Sequence, residues 1–252
     1  MQSILITGAS SGIGEALAYY YASVGVKNLF ICGRNQERLE AVKQNCEAFG
    51  ATVDAKVLDV TDREKTQNWI LEADKKQPLD LVVANAGVST TQGGEDAVYK
   101  TFNTNVFGVL NTVHPALDVF LTRKDLKKNN AQIAIVASIA GYHGLASCPS
   151  YSASKACVKA YGEALRVRYA ADGIKINVIC PGFVHSRITQ KNQFPMPFIM
   201  DADKAAKLIA KGIEKNRPII SFPNLIRFAT WFISILPNAI SDKIYAIMPY
   251  KV

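Results

Sequence analysis

Short apolar runs alternate with longer amphipathic stretches along most of the chain. The runs are rich in β-branched residues and contain few polar positions, which is typical of strands covered on both faces. The stretches between them are long enough to form helices. The predicted strands are residues 3–7, 29–32, 53–58, 79–84, 133–137, 174–180 and 218–222.

This alternation predicts the fold class. Parallel strands need crossover connections, which are usually helical and almost always right-handed. We therefore expect an α/β fold with a Rossmann-like, doubly wound parallel sheet of about seven strands and helices on both faces. The chain has 252 residues and no linker-like segment, so we interpret residues 1–252 as one domain. Ligands of such sheets bind beyond the carboxyl ends of the strands.

A glycine-rich turn follows the first predicted strand. Residues 7–14 read TGASSGIG and lead into a helix-forming segment. Glycines permit a tight turn and close approach of the backbone to a diphosphate, and the new helix presents free amide donors. A Walker-type loop is excluded because no Gly-Lys-Ser/Thr follows. The predicted dinucleotide-binding residues here are Gly8, Ser10, Ser11, Gly12, Ile13 and Gly14.

The end of the second predicted strand bears on the choice of cofactor. A carboxylate at this place binds the ribose 2′-hydroxyl of NAD, whereas arginine suits the 2′-phosphate of NADP. The chain has Gly33 followed by Arg34. We therefore predict that NADP(H) is preferred over NAD(H), with Arg34 on the phosphate and added hydrogen bonds from Ser10 and Asn35. The alternative for Arg34 is a solvated loop cation.

Tyr151 and Lys155 lie four residues apart in a predicted helix, which puts a phenol and an ammonium on one face. A cation within about 4–6 Å favours the phenolate. We therefore expect the pKa of Tyr151 to fall below its usual ~10, toward the range useful for acid–base catalysis. The same spacing also occurs on ordinary surface helices, so other motifs must support it.

Further motifs occur along the chain, several of them directly after a predicted strand. They are Asp59-Val60, Asn85-Ala86-Gly87, Asn105, Ser138 and Pro181-Gly182. With the glycine-rich turn and the Tyr151 and Lys155 pair, they give residues 1–190 a clear resemblance to the short-chain dehydrogenase/reductase family in its single-domain form.

The resemblance implies a nicotinamide-dependent oxidoreductase that acts on a carbonyl or alcohol. Tyr151 would exchange a proton with the substrate oxygen, and Ser138 would orient that oxygen. Lys155 would bind the nicotinamide ribose and lower the pKa of Tyr151, and Asn105 would hold a water of the proton relay. The remaining cofactor contacts would be Asp59 and Val60 to adenine, Asn85, Ala86 and Gly87 along the cofactor, and Pro181, Gly182, Val184 and Ser186 near the carboxamide.

Two segments outside these motifs contain unusually apolar runs. The loop 186–200 contains the apolar run 194–198, whose prolines preclude a regular helix, and it could form either a substrate wall or ordinary loop packing. The segment of about 224–247 is predicted to be helical and is unusually apolar over 225–236. For it we favour burial or oligomer packing, then a cover over the substrate, and last contact with a membrane surface.

Composition and charge limit the classes of ligand and partner that we expect for the chain. The net charge of +8 suits an anionic ligand, but the cations are scattered, which does not indicate nucleic acid. The five cysteines and three histidines have no metal-ligand spacing, so no metal site is predicted. We see neither a targeting signal nor a stretch long enough to cross a bilayer, and we expect a cytoplasmic protein.

These observations lead to one main hypothesis and two alternatives. We expect an NADP(H)-dependent carbonyl reductase or alcohol dehydrogenase for an apolar or lipid-like substrate, and the resemblance implies a homodimer or homotetramer. A catalytically silent NADP-binding regulatory module is opposed by the complete set of four catalytic positions. A nucleotide-sugar epimerase or dehydratase shares the Tyr-Lys spacing but normally has a longer substrate domain after it.

Overall fold

The computed structural model describes residues 1–89, 94–123, 131–191 and 195–246. Within these ranges the strands are β1 (Ser3–Thr7), β2 (Asn28–Gly33), β3 (Thr52–Val57), β4 (Leu81–Ala84), β5 (Gln132–Val136), β6 (Lys175–Pro181) and β7 (Ile219–Phe222). The α-helices are α1 (Gly12–Ser23), α2 (Gln36–Ala48), α3 (Arg63–Lys76), α4 (Gly94–Phe102), α5 (Gly108–Leu121), α6 (Pro149–Arg168), α7 (Ala202–Glu214), α8 (Asn224–Ser234) and α9 (Asn238–Ala246).

The strands form one parallel sheet in the order β3-β2-β1-β4-β5-β6-β7. The chain builds outward from β1 in one direction and, after crossing back to β4, outward in the other. This confirms the predicted doubly wound fold. The order reverses between β1 and β4, and such a switch point opens a crevice at the carboxyl ends of the two strands.

The sheet is the middle layer of three, and its two faces carry separate apolar clusters. In β1, Ile4 and Ile6 face a cluster that includes Leu17 of α1 and Ile209 of α7. Leu5, between them in sequence, faces the opposite cluster with α3, α5 and α6. All three β1 side chains are fully buried, which explains why this strand is apolar at every position rather than at alternate ones.

The predicted strand over 79–84 starts later than expected, at Leu81. The amide of Leu79 donates to the Asp74 carboxylate at 2.9 Å, and the carbonyl of Leu79 accepts from Arg123 at 2.8 Å. These side chains occupy the backbone groups that would otherwise pair with a neighbouring strand, so Leu79 is buried without belonging to the sheet.

The apolar segment after β7 forms the helices α8 and α9. None of the residues of α8, all of which the structure describes, is buried. Of the favoured expectation, burial or oligomer packing, burial within the chain is therefore wrong for the outer side chains, such as Leu225, Phe228 and Ile235, and oligomer packing stays a prediction. Among the described residues, no helix is both long and apolar enough to span a bilayer.

Candidate active site

The turn between β1 and α1 can be built only with glycine at two of its positions. Gly8 and Gly12 have φ of +67° and +62°, which side chains rarely tolerate. A Cβ at Gly8 would also lie 2.7 Å from Cα of Ala86, and one at Gly14 would lie 2.5 Å from the carbonyl oxygen of Gly8. The predicted dinucleotide turn is therefore packed directly against the chain that follows β4.

Hydrogen bonds tie this turn to β4 across the switch point. The side-chain amide of Asn85 donates to the carbonyls of Thr7 at 2.9 Å and Gly8 at 3.1 Å. The hydroxyl of Thr7 accepts from the backbone amides of Asn85 at 3.0 Å and Ala86 at 3.2 Å. Asn85 and Ala86, predicted to line the cofactor, thus also fix the shape of the turn.

A cavity of about 450 Å³ lies in front of the turn. The turn forms one wall of the cavity, and the loop after β6 forms another. The turn and the loop approach each other closely, since a Cβ at Gly12 would lie 3.0 Å from Cβ of Ser186. Free backbone amides at the start of α1 suit a diphosphate, so the residues present fit a dinucleotide. The cavity is lined by Ser10, Ser11, Gly12, Glu15, Ala16, Tyr19, Arg38, Ala41, His185, Ser186, Arg187, Gln190, Ala202 and Asp203.

The loop after β6 is closed at its base. Val184 forms an isolated bridge with Met200, and the amide of His185 donates to the Met200 carbonyl at 2.9 Å. The buried Thr189 donates to the Val184 carbonyl at 2.8 Å and accepts from the amide of Ser186 at 2.9 Å. Ser186 is thereby held against Gly12. Residues 192–194, which include Phe194 of the predicted substrate loop, lie outside the described residues.

The carboxyl end of β2 has no room for an acidic side chain. A Cβ at Gly33 would lie 2.8 Å from both Cβ and Oγ of Ser10. Asn35 caps α2, since its side-chain oxygen accepts from the backbone amide of Arg38 at 2.9 Å. This cap fixes the first turn of α2, and with it the position of Arg38 on the wall of the cavity.

Two arginines follow the carboxyl end of β2, and of the two Arg38 lines the cavity. Arg34 and Asp59 form an exposed ion pair at 3.5 Å, and Asp59 also accepts from the amide and hydroxyl of Thr61. Nε of Arg38 is buried and has no hydrogen-bond partner among the described residues. A buried donor without a partner is costly, so Arg38 is a candidate ligand for an anion. The sequence did not lead us to predict this role for Arg38, which lies four residues after Arg34 in the chain.

Asn105 lies in a short π-helix, Asn103–Phe107, between α4 and α5. The side chain is fully buried. Its oxygen accepts from the Val88 amide at 2.8 Å, while its nitrogen donates to the Val88 carbonyl at 2.9 Å and to the Ser154 hydroxyl at 3.0 Å. Single π-turns often occur at functional sites. Here the π-turn links the chain after β4 to α6.

Lys155 lies on the buried face of α6 and donates from Nζ to the Val136 carbonyl at 2.8 Å. A Cβ at Gly87 would lie 3.2 Å from the Asn105 side-chain oxygen and 3.4 Å from Nζ of Lys155. The absence of a side chain at Gly87 therefore allows Asn105 and Lys155 to lie beside the same point of the backbone. Nζ of Lys155 lies 5.9 Å from the centroid of the Tyr151 ring, on the face of α6 that the spacing predicted.

Ser138 lies two residues after the end of β5 and caps the 3₁₀ helix Ile139–Gly141. Its hydroxyl accepts from the Ala140 amide at 3.1 Å and donates to the Pro181 carbonyl at 3.4 Å. A hydrogen bond with Ser138 is one of the influences on the pKa of Tyr151. The structure therefore brings the four predicted catalytic side chains, Asn105, Ser138, Tyr151 and Lys155, to the carboxyl ends of β4, β5 and β6.

The pKa of Tyr151 departs from the sequence prediction. Burial raises it to about 12, and the hydrogen bond with Ser138 acts in the opposite direction. Burial also lowers the pKa of Lys155 to about 8. The expected lowering of the Tyr151 pKa by the neighbouring ammonium is therefore wrong for the chain without cofactor, because desolvation of the phenolate is the largest influence on this pKa.

The other predicted cofactor positions contribute through their backbone or their packing. Val60 is buried, and its side chain occupies the space in which a Cβ at Gly108 would stand. Its carbonyl accepts from Asn111 of α5 at 2.9 Å. Val184 is also buried, so a cofactor could meet only its backbone. The positioning residues that the sequence reasoning missed are Thr7, Asn111, Ser154 and Thr189.

Comparison with known proteins decides the family. A sequence model described as short chain dehydrogenase matches residues 2–195. The chain belongs to the short-chain dehydrogenase family. This oxidoreductase is 38% identical to an uncharacterized oxidoreductase of Myxococcus xanthus (strain DK1622) over 246 residues, which are 96% of this chain and 95% of the relative.

Two solved structures share the fold of the dehydrogenase. A short-chain dehydrogenase from Sphingobium yanoikuyae in complex with NADPH has a TM-score of 0.78 at 19% identity, over 99% of this chain and 97% of that one. A short chain dehydrogenase from Mycobacterium paratuberculosis bound to NAD has a TM-score of 0.73 at 20% identity, over 87% and 94% of the two chains. Membership of the family supports a nicotinamide cofactor.

The raised pKa leads to a direct test on the dehydrogenase without cofactor. We expect Tyr151 to form no phenolate below pH ~10, the ordinary pKa of tyrosine, because burial raises its pKa to about 12. The measurement is an ultraviolet difference titration of the protein against its Tyr151→Phe variant. A tyrosinate signal between pH ~6 and ~9 in the difference curve would show that Lys155 dominates instead.

The glycine-rich turn offers a matched pair of substitutions. Gly8→Ala should weaken NADPH binding by roughly tenfold or more, or about 1.4 kcal/mol, because its Cβ would collide with Ala86 and shift the turn. Gly25→Ala also puts a side chain at positive φ, but in open space. It should lower the unfolding free energy by about 1 kcal/mol and leave the dissociation constant unchanged. Fluorescence titration with NADPH would measure both, and equal losses of binding would contradict this role of Gly8.

Proposed function

We propose that this dehydrogenase is an NADP(H)-dependent carbonyl reductase or alcohol dehydrogenase, with Asn105, Ser138, Tyr151 and Lys155 as its catalytic set. The observation that carries the proposal is the arrangement at the switch point. A phenol, a hydroxyl and an ammonium lie at the carboxyl ends of the central strands, on the same side of the sheet as the glycine-rich turn and the cavity in front of it.

The residues of the chain supply proton transfer and orientation. When bound, the reduced nicotinamide would supply the hydride for the substrate carbonyl carbon. Ser138 and Tyr151 would donate hydrogen bonds to the carbonyl oxygen, where negative charge develops, and Tyr151 would then give up its proton. Lys155 keeps most of its positive charge at neutral pH, because its pKa is about 8, and this charge stabilises the phenolate that remains.

The raised pKa of Tyr151 bears on the direction of the reaction. A phenol with a pKa of about 12 is protonated at neutral pH, so it is ready to donate a proton to a carbonyl oxygen. Alcohol oxidation requires the phenolate, which such a pKa disfavours. The protonation state of the chain without cofactor therefore supports carbonyl reduction at neutral pH.

Three features at the carboxyl end of β2 support NADP(H) over NAD(H). Ser10 fills the space in which an acidic side chain at position 33 would begin. The Arg34 pair with Asp59 is exposed and long at 3.5 Å, and such pairs contribute only about 0–1 kcal/mol, so Arg34 is available to a phosphate. Arg38 adds the buried Nε without a partner.

The substrate class and the assembly are also part of the proposal. Met200, at the end of the loop after β6, pairs with Val184, and α8 packs against β7 and the 3₁₀ helix that follows Ser138. The apolar residues of this loop and of the first turn of α8 favour an apolar or lipid-like carbonyl compound. We propose a homodimer or homotetramer, which is common in this family.

Replacing the phenol tests the mechanism. Tyr151→Phe removes the proton donor while keeping the ring, so kcat for carbonyl reduction should fall by about 100-fold or more. The dissociation constant for NADPH should change little. The assay is NADPH consumption with a panel of carbonyl compounds, run beside Ser138→Ala. A Tyr151→Phe variant that keeps the parent rate would contradict the mechanism. A parent protein that binds NADPH but reduces no carbonyl compound of the panel would favour a regulatory module.

The cofactor preference has its own test, in which Arg187 serves as the control. Arg38→Ala should raise KM for NADPH by about tenfold or more and leave KM for NADH unchanged, because only NADPH has the 2′-phosphate. Arg187, on the loop after β6, lines the same cavity, and its replacement by Ala should affect both cofactors alike. Equal efficiency of the parent protein with NADH and NADPH would show that the preference is wrong.

A further inference from the structure

Helix α8 presents a stripe of large apolar side chains to solvent. At 3.6 residues per turn, its outer side chains fall within about a third of the helix circumference. Phe228 lies next to two other rings, with centroid distances of 5.9 Å to Trp231 and 6.4 Å to Phe232. The outer stripe consists of Leu225, Phe228, Trp231, Phe232 and Ile235, all of them exposed.

A different face of α8 holds the helix on the protein. Ile226, Thr230 and Ile233 are spaced at i, i+4 and i+7 and are each partly buried. The helix packs against β7 and against the 3₁₀ helix that follows Ser138. The side chains of the outer stripe are therefore not needed to hold α8 on the rest of the chain. An apolar surface of this kind on a soluble fold usually marks an interaction site.

The start of α8 adjoins the proposed active site. Gly182, which follows β6, donates to the Phe222 carbonyl at 2.8 Å. A Cβ at Gly182 would lie 3.0 Å from Cδ of Pro223 and 3.3 Å from Cδ1 of Ile139. Pro223, directly before α8, thus touches backbone that neighbours both Ser138 and Pro181. The first turn of α8 therefore lies beside the segments that carry Ser138 and Pro181.

The charges around α8 favour an anionic surface over a second copy of the chain. No acidic residue occurs between Glu214 and Asp242, and Arg227 is the only charged residue within α8. Arg227 lies near enough to act on the pKa of Tyr142, although burial dominates and raises that pKa to about 12. The whole chain carries a net charge of +8, which attracts the protein to negative surfaces.

We propose that the outer stripe of α8 docks this dehydrogenase on an anionic lipid surface, from which an apolar carbonyl substrate passes directly to the site. Amphipathic helices with aromatic and leucine side chains on one face bury that face at the boundary of headgroups and acyl chains. The outer stripe has this composition, and Arg227 stands at its edge to meet lipid phosphates. The substrate half of this proposal rests on the proposed function, whereas the docking half does not.

The chain contains its own reporter for docking. Of its two tryptophans, Trp231 is 47% exposed in the outer stripe and Trp69 is 3% exposed in the core. Vesicles of phosphatidylcholine with phosphatidylserine should therefore shift the emission of Trp231 to shorter wavelength and sediment the protein. Vesicles of phosphatidylcholine alone should bind it more weakly, and added salt should weaken the binding to the anionic vesicles.

The decisive variant keeps the reporter and removes the rings beside it. Phe228→Ser with Phe232→Ser should lower the partition coefficient for anionic vesicles about tenfold or more, because two large apolar side chains no longer enter the lipid. The matched control is Phe49→Ser, an equally exposed phenylalanine at the end of α2, which should bind vesicles like the parent protein. NADPH binding and circular dichroism would show that the variants are folded.

Kinetics separate this proposal from the proposed function. With a water-soluble aldehyde, the double variant should keep the parent rate. With a long-chain ketone held in anionic vesicles, it should lose about tenfold or more of the rate, in line with its weaker partition. Vesicle binding without reduction of any carbonyl would refute the proposed function and leave the docking surface standing.

Other outcomes overturn the docking proposal while leaving the proposed function intact. A parent protein that reduces the soluble aldehyde but neither binds anionic vesicles nor shifts its tryptophan emission has no lipid-docking surface. A parent dimer that the double variant converts to monomers in sedimentation velocity, without vesicle binding, assigns the stripe to a second copy of the chain.

Discussion

The hydrogen bonds that join Thr7 and Asn85 across the gap between β1 and β4 hold the two halves of this molecule in register at the site. The hydroxyl of Thr7 and the side-chain amide of Asn85 form these hydrogen bonds. Their partners are backbone groups that the sheet leaves unpaired where the strands end. The glycine turn, the cavity in front of it and the chain leading to Asn105 all take their positions from this junction.

Desolvation is the largest influence on the pKa values of two of the proposed catalytic side chains. The same burial raises the pKa of the Tyr151 phenol and lowers the pKa of the Lys155 ammonium, so both groups are pushed toward their neutral forms. Lys155 nevertheless stays mostly charged at neutral pH. The site thus combines a protonated donor, Tyr151, with a cation, Lys155, that would stabilise negative charge when it develops. The proposed carbonyl reduction needs this arrangement.

The topology of the sheet also explains why α8 starts near the candidate active site. Strand β7 lies at the edge of the sheet beside β6, and a parallel sheet delivers every strand end to the same side. The segment after β7 therefore emerges next to Gly182 and the 3₁₀ helix after Ser138. A helix that starts there begins beside the segments that carry Ser138 and Pro181, while its apolar stripe faces solvent.

Much of this could be predicted from the sequence, because the signals are local. Apolar runs between helical stretches gave the strands and the sheet. The glycine spacing required the turn, and the four-residue spacing put Tyr151 and Lys155 on one helix face. The fold follows from such short-range rules, whereas the roles of Asn105 and Ser138 were predicted from the resemblance to the family. The start of β4 was misjudged because Asp74 and Arg123, distant in sequence, occupy the backbone of Leu79.

The sequence by itself thus determined the order of the strands along the chain and the residue types at the strand ends. Only the tertiary structure decided how those residues behave. The pKa of Tyr151 rises because surrounding elements exclude water, Arg38 matters because its Nε is buried by other parts of the chain, and α8 is exposed because one face alone finds a partner. Burial is a property of the packed whole, and no local pattern specifies it.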